Sequence, residues 1–267
     1  MRFSDHALAQ RLERAEGRAC AQFAEARRRL FPESGSEWTE CSGAYAVFDG
    51  IGSPVTQTFG LGLFEELTPS ALDAIERFFL DHGAQVDHEV SPLAGVPALD
   101  LLCARRSRPI EISNVMYRPT EKPAPAGQGN IRVRVTGPEE AEPWTNTSAK
   151  GWVHEYPERL GFFLQTTAIS AAREQSACFL AELDGLPGAA GSLCIHNGVA
   201  LFAGAATIPE MRRRGLQAAL LEERMRYAFD NGCDLAMIVA VAGSDSRRNA
   251  ERKGFQVAYT RIKWRLS

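Results

Sequence analysis

Three consecutive arginines, a glycine and an apolar helical repeat form the part of this sequence best suited to chemistry. Residues 206 to 232, ATIPEMRRRGLQAALLEERMRYAFDNG, lead from an apolar run through a short turn into a segment with Leu216, Leu220, Met225 and Phe229 at helical spacing. The first amides of a helix have no acceptor within it, and the macrodipole is positive there. A turn at this place can therefore grip a phosphate or diphosphate through its backbone. Gly215 permits an unusual φ and a close approach of the ligand, while Arg212, Arg213 and Arg214 add positive charge. Taken alone, the same residues also suit a solvated charge cluster before an ordinary turn.

The other reactive residue types offer less. Cys20, Cys41, Cys103, Cys178, Cys194 and Cys233 are scattered, with no Cys-x-x-Cys pair and no Cys/His set at ligand spacing. No metal is expected, and the thiols read as small buried hydrophobes in a reducing cytosol. His6, His82, His88 and His196 read as solvent-facing. Trp144, Trp152, Tyr156, Phe162 and Phe163 cluster in one stretch, as core or as a wall of an acceptor pocket.

Elements must position that turn, and their pattern is legible. Leu8, Leu12, Ala15, Ala19, Phe23, Ala26 and Leu30 alternate in steps of three and four, which predicts one amphipathic helix ending near Pro32, followed by a loop. Strands are expected at 43–48 and 55–63, a helix from Thr68-Pro69-Ser70 to Gly83, a strand at 85–90, a helix at 97–106 and a strand at 110–117. PTEKPAPAGQGN, residues 119 to 130, reads as a linker.

The second half opens with the alternating strand 131–135 and a helical region reaching Ala172. Strands at 177–183, 190–195 and 199–208 come next, joined by the turns Asp184-Gly185 and Asn197-Gly198. A helix at 216–230, a strand at 235–242, a helix at 245–253 and a strand at 257–265 complete the chain. LAMIVAVA, apolar on both faces, suits a buried strand of a parallel crossover. The fold class is α/β with a mixed sheet.

The two halves read as a weak repeat of one plan, with coincidence between two ordinary α/β segments as the alternative. Phe78-Phe79-Leu80-Asp81-His82-Gly83 lies 149 positions before Tyr227-Ala228-Phe229-Asp230-Asn231-Gly232, each closing a helix in a strand-helix-strand-helix-strand series. The expected division is a structural domain at 1–118, a linker at 119–130 and a ligand-binding domain at 131–267. At the place of the arginine turn the first half reads Phe64-Glu65-Glu66-Leu67-Thr68-Pro69. Two carboxylates there repel a diphosphate and proline removes an amide.

Composition bounds the partners. The 267 residues are 45% hydrophobic and 24% charged, which excludes a disordered or disulfide-scaffold protein. Residues 131 to 267 carry a net charge near +2 and the first 130 near −5. Neither is the basic field of a nucleic-acid binder, so none is expected. No apolar window approaches the length of a membrane span and the N-terminus is charged throughout, so no membrane partner is expected and a cytoplasmic location is.

Arg212-x-x-Gly215-x-Gln217, between a strand and a helix, resembles the coenzyme A pyrophosphate loop of the GNAT superfamily of N-acetyltransferases, Gln/Arg-x-x-Gly-x-Gly/Ala. Gln217 departs from the pattern, although a grip through backbone N–H groups tolerates any non-proline residue there. Ser246-Arg247-Arg248-Asn249-Ala250-Glu251-Arg252-Lys253-Gly254-Phe255 is similar to the family's last helix with its Gly-Phe ending. The resemblance covers nearly all of residues 131 to 267 and implies a tandem GNAT protein with a degenerate N-terminal copy.

The resemblance also implies an acyltransferase moving an acetyl group from acetyl-CoA to a primary amine, by direct attack in a ternary complex. The implied coenzyme contacts are Thr207, Ile208, Arg212, Arg213, Arg214, Gly215, Leu216, Gln217 and Ala218, with Ser246 and Asn249 from the last helix. The pantetheine arm would enter where strands 199–208 and 235–242 splay, beside small Ala203, Gly204, Ala205 and Ala206. Many relatives carry a Glu on the strand before the loop, but 199–208 has no ionisable residue; many carry a Tyr four residues before the final glycine, where this chain has Ala250. The catalytic residues are thus unassigned, with ordered water, Glu182, His154 and Glu155 as the alternatives. A small-molecule or peptide amine is the expected acceptor; its identity and the oligomeric state stay open. The rival reading is a non-catalytic acyl-CoA sensor or interaction module.

Overall fold

The computed structural model of the protein describes residues 5–122, 129–153 and 157–267. The chain divides into two compact units, Met1–Arg118 with Met237–Ser267, and Pro119–Ala236.

In the first unit, helix α1 (His6–Leu30) is capped by the Asp5 side chain, which accepts from the Leu8 amide at 2.8 Å. Strands β1 (Glu37–Cys41), β2 (Ala44–Phe48) and β3 (Gln57–Phe59) follow, then α2 (Pro69–Asp81), β4 (Asp87–Val90), α3 (Gly95–Ala104) and β5 (Arg108–Pro119). The chain returns to this unit part-way along β10 (Leu235–Val241) and ends with α7 (Asp245–Arg252) and β11 (Gln256–Arg265). The sheet runs β1-β2-β3-β4-β11-β5, and only β3 and β4 pair in parallel along it.

Alternation in β2 decides which helix lies on which face. Ala44, Ala46 and Phe48 pack with Leu72, Ile75 and Phe79 of α2 and Ala98 and Leu102 of α3. Tyr45 and Val47 pack with Ala21 and Ala24 of α1. All five residues of β2 are buried, as a strand covered on both sides requires.

Two expectations for this unit are corrected. Residues 37–41 are a strand, not loop: EWTEC is half-exposed and lacks an apolar rhythm, but its register with β2 from Glu37 opposite Phe48 to Cys41 opposite Ala44 supplies the backbone partners. The strand expected over 55–63 shrinks to Gln57–Phe59, because Gly60 and Gly62 take φ of +74° and +71° and turn the chain out of the sheet.

The second unit contains β6 (Ile131–Val135), α4 (Ala141–Val153), α5 (Leu160–Ala172), β7 (Ser176–Leu183), β8 (Leu186–His196), β9 (Val199–Thr207) and α6 (Leu216–Asp230). Its strands form the antiparallel series β9-β8-β7-β6. Both hairpin turns are built as their sequences require, with φ of 52° and 80° at Asp184-Gly185 and 45° and 75° at Asn197-Gly198. Trp144 of α4 packs with Cys178, Leu180 and Ala190 on one face, and Phe179 meets Tyr227 of α6 on the other. The Trp144 indole N–H donates to the carbonyls of Phe179 and Gly191 at 3.1 and 3.3 Å, so this member of the aromatic cluster is core.

The compact units and the duplication-based division differ at the C-terminus. Residues 237–267 sit with 1–118, because β11 pairs with β4 on one edge and β5 on the other. Residues 123–128 of the expected linker lie outside the described residues.

Candidate functional site

The arginine turn is a loop with two left-handed residues. β9 ends at Thr207, the Ile208 amide donates to the Gly188 carbonyl at 2.9 Å, and a single 3-10 turn at Pro209–Met211 follows. Arg212 is extended, Arg213 takes φ +61° and Gly215 takes φ +88°. A Cβ on Gly215 would also stand 3.2 Å from Ile131 Cδ1, so both backbone angle and space select glycine. Gly188 lets the turn sit on β8, since a Cβ there would meet Met211 Sδ and would stand 2.8 Å from Leu216 Cδ1.

No side chain caps α6, and its first bond runs from the Ala219 amide to the Gly215 carbonyl at 3.0 Å. The amides of Leu216, Gln217 and Ala218 precede that bond and have no intrahelical acceptor. Arg213, Arg214, Gly215 and Gln217 are exposed, and among the described residues no carboxylate pairs with Arg213 or Arg214. Arg212 is used differently. Its Nε donates to Thr207 O at 3.3 Å and its Nη2 to Gly151 O at 3.1 Å, tying the end of β9 to the last turn of α4. Beside this tie the Thr207 hydroxyl is buried and has no hydrogen-bond partner among the described residues. Gly151 makes the approach possible, because a Cβ there would lie 2.6 Å from Ala206 Cβ and 3.0 Å from the Thr207 amide nitrogen.

β9 is interrupted just before this point. Ala190 faces Ala206 and Ser192 faces Ala203, so Gly204 and Ala205 have no partner on β8. Gly204 takes φ +60° and is exposed, and Ala203 and Ala205 are half-buried. This is a bulge lined with small residues, and it leaves Gly204 and Ala205 outside the β8 ladder beside the turn.

The helix behind the turn has the bounds the sequence predicts, 216–230, but its buried face is not the one the spacing predicts. Its buried residues are Leu216, Leu220, Arg224 and Ala228, whereas Met225 is half-buried and Phe229 exposed. A strict i, i+4 row, not a mixed three-and-four stripe, faces β8. Arg224 is not among the residues expected from sequence, and its place in the row with Leu216, Leu220 and Ala228 is the signal that points to it.

The remaining expected site residues are scattered. Ser246 and Asn249 are exposed on α7 of the first unit. There the cap role belongs to Ser244, which accepts from the Arg247 amide at 3.2 Å, and Asn249 Oδ1 accepts from Arg252 at 3.3 Å. Glu182 accepts from Arg134 Nε and Nη2 at 3.2 and 3.0 Å, and Arg134 also pairs with Glu140, so that carboxylate is already committed. His154, Glu155 and Tyr156 lie outside the described residues. Trp152 stacks on Phe163 with centroids 6.4 Å apart, and Arg159 lies 4.5 Å over Phe162.

Burial pushes the Cys178 thiol up to about 12 and Cys233 up to about 11, which makes them poor nucleophiles. Cys103, by contrast, is exposed. Among the described residues no group of His, Cys, Asp and Glu could hold a metal ion. His88, expected at the surface, is fully buried, because all four residues of β4 are covered.

The first unit has no counterpart of this turn. The Thr68 hydroxyl accepts from the Ala71 amide at 3.2 Å and caps α2, whose first residue is a proline. Leu61, Leu63 and Leu67 are buried, and a Cβ on Gly62 would stand 3.2 and 3.3 Å from Ala94 and Ala98 of α3. The chain itself fills the space.

Residues 139–255 match the model of the acetyltransferase (GNAT) family. The protein contains a GNAT acetyltransferase domain. The GNAT fold extends over nearly the whole chain. A GCN5-related N-acetyltransferase from Kribbella flavida superposes with a TM-score of 0.63 at 18% identity, covering 92% of this chain and 95% of that one. One from Sphaerobacter thermophilus gives 0.58 at 18% identity, covering 94% and 91%. A tandem GNAT protein from the clavulanic acid biosynthesis pathway gives 0.58 at 13% identity, covering 84% and 78%. No curated protein matches the sequence. In the GNAT domain the turn 207–218 falls inside the matched residues, as do Ser246 and Asn249.

Proposed function

We propose that the protein is a cytosolic acetyl-CoA-dependent N-acetyltransferase acting on a primary amine of a small molecule or peptide. In this reading residues 131–267 are the working domain and residues 1–118 a degenerate structural copy, joined by 119–130. The observation that carries it is the uncapped start of α6 behind left-handed Gly215. Three amides there have no acceptor within the helix, and Arg213 and Arg214 precede them in the chain without acidic partners among the described residues. Such a turn suits a diphosphate. No helix among the described residues is long and apolar enough to cross a membrane.

The thioester is the chemistry that acetyl-CoA supplies when bound. This chain's residues then hold and orient. The amides of Leu216, Gln217 and Ala218 and the guanidinium groups of Arg213 and Arg214 hold the diphosphate, Arg212 fixes the turn against β9 and α4, and Thr207 and Ile208 border it. The main chain of Gly204 and Ala205 at the bulge would pair with the amides of the pantetheine arm. With acetyl-CoA bound, the amine nitrogen would attack the thioester carbon, the C–N bond forming as the C–S bond breaks, and the proton lost from the nitrogen would pass to the departing thiolate. The resemblance adds Ser246 and Asn249 as residues to be tested for coenzyme contact.

Isothermal titration with acetyl-CoA and a free-thiol assay over a panel of amines test the reading. Gly215→Asp is expected to abolish binding with little change in far-UV circular dichroism, because a side chain and a negative charge enter the grip. Unchanged affinity would exclude this turn. A second reading, a non-catalytic acyl-CoA sensor, is favoured by β9 having no ionisable residue and by Glu182 being held by Arg134. Tight binding with no thiol release from any amine would decide for it.

A further inference from the structure

Arg224 lies in the one row of α6 that a core would fill with aliphatic residues, between Leu220 and Ala228, and is 3% exposed. Burying a guanidinium costs several kcal/mol unless its donors are met, and a carboxylate is the usual partner. Among the described residues no carboxylate is within ion-pair range of Arg224. Burial alone lowers its pKa, to about 10, and no charge raises it back.

Its partners outside α6 are at the bulge. Nη1 donates to the carbonyl of Ser192 at 3.2 Å and the guanidinium lies 4.9 Å over the Phe202 ring, while Nε donates to Leu220 O of its own helix at 3.3 Å. Ser192 is the residue at which the β8–β9 ladder slips, and its hydroxyl donates to the carbonyl of the facing Ala203 at 3.3 Å. Gly191 makes room: a Cβ there would stand 3.3 Å from Arg224 Nη1 and 3.1 Å from Leu220 Cδ2. One side chain thus touches both strands of the slipped pair, next to the residues that the slip leaves unpaired.

We propose that Arg224 is a positioning residue: holding the Ser192 carbonyl and the Phe202 ring, it keeps β9 in the register that frees the main chain of Gly204 and Ala205 for the pantetheine arm. An aliphatic residue would pack the row of α6 at lower desolvation cost, so the arginine is retained for the register and not for stability. The inference rests on β9 being the strand that receives acetyl-CoA.

The test is Arg224→Leu, with Arg224→Lys as the charged control. Arg224→Leu is expected to keep or raise the melting temperature while weakening acetyl-CoA binding tenfold or more by calorimetry. Arg224→Lys should fall between the wild type and Arg224→Leu in affinity. A structural role alone would move stability and affinity in the same direction. Amide resonances of Ala203, Gly204 and Ala205, followed without coenzyme, should shift in Arg224→Leu and less in Arg224→Lys. Unchanged resonances overturn the proposal even if the wild type binds no acetyl-CoA, an outcome that would separately sink the functional reading. Wild-type affinity in Arg224→Leu also overturns it. Should Arg224→Leu fail to fold, the same two measurements on Arg224→Lys decide, and no change in either is the refuting result.

Discussion

At His88 burial takes an imidazole out of water with little to hold its proton. Nδ1 lies 3.1 Å from Thr58 Oγ1, Nε2 is buried without a partner among the described residues, and Asp87, the one charge that favours protonation, pairs with Arg265. Burial outweighs Asp87 and pulls the pKa from 6.5 to about 4. The unfolded chain therefore binds more protons than the folded one between pH 6.5 and about 4. Stability from this group is complete above 6.5 and is lost as pH falls through that window, by about 3 kcal/mol. His88→Gln, which keeps a polar partner for Thr58 and does not titrate, should flatten that limb. Urea unfolding at pH 7 and pH 4.5 measures it, and equal losses for variant and wild type would show that His88 does not set the acid limb. Ordinary histidine behaviour predicts a place at the surface, and only the cover on both faces of β4 reverses it.

Between α4 and β9 the contact is closest at Gly151, which has no side chain. A Cβ on Gly151 would meet Ala206 Cβ at 2.6 Å and the Thr207 nitrogen at 3.0 Å, and neither is the end of a flexible side chain. Gly151→Ala must therefore push α4 off β9, at a cost of about 1–3 kcal/mol, despite alanine's better helix propensity. The same shift stretches the bond from Arg212 to the Gly151 carbonyl, so acetyl-CoA affinity should fall along with the urea midpoint. A midpoint at or above that of the wild type would mean the interface yields easily. Elements of this kind are legible where local chemistry decides them. Strand β6, helix α6 and both left-handed hairpin turns follow from alternation, from the Gly215 start and from Asp-Gly and Asn-Gly. β1 is not legible, because its pattern of exposure carries no rhythm and its partners come from β2. The turn can be read in the sequence because a glycine and three arginines must be adjacent in the chain to build it. The bulge and the role of Arg224 cannot, since the register slip is a relation between two strands.

Over the whole chain, the first unit is sewn from two stretches that lie far apart in sequence. β11 enters between β4 and β5, with Arg265 facing Asp87 on one side and Arg108 on the other. Its Arg261, 1% exposed, pairs with Glu13 at 3.1 Å and Glu16 at 2.6 Å on α1 and with Glu89 at 2.9 Å on β4. The Tyr259 hydroxyl donates to Glu13 at 2.9 Å, and the Gly60 amide does so at 3.1 Å. Burial opposes the charge on Arg261, but Glu13, Glu16 and Glu89 together hold its pKa well above the ordinary value. For Glu13 burial prevails over the attraction of Arg261 and raises the pKa. Truncating the cation would strand these carboxylates in the interior, so Arg261→Met should lose about 3–5 kcal/mol at pH 7.5, far more than a surface pair. Protonation is the escape open to a stranded carboxylate, and Glu13 is already displaced toward it. The deficit relative to wild type should therefore shrink as pH falls from 7.5 to 5.5, the reverse of a variant whose damage is lost packing. Urea midpoints for both proteins at the two pH values decide the matter. A deficit that is below about 1 kcal/mol, or that does not change with pH, would show that the strand pairing of β11, and not its buried charge, holds the two ends of the chain in one unit.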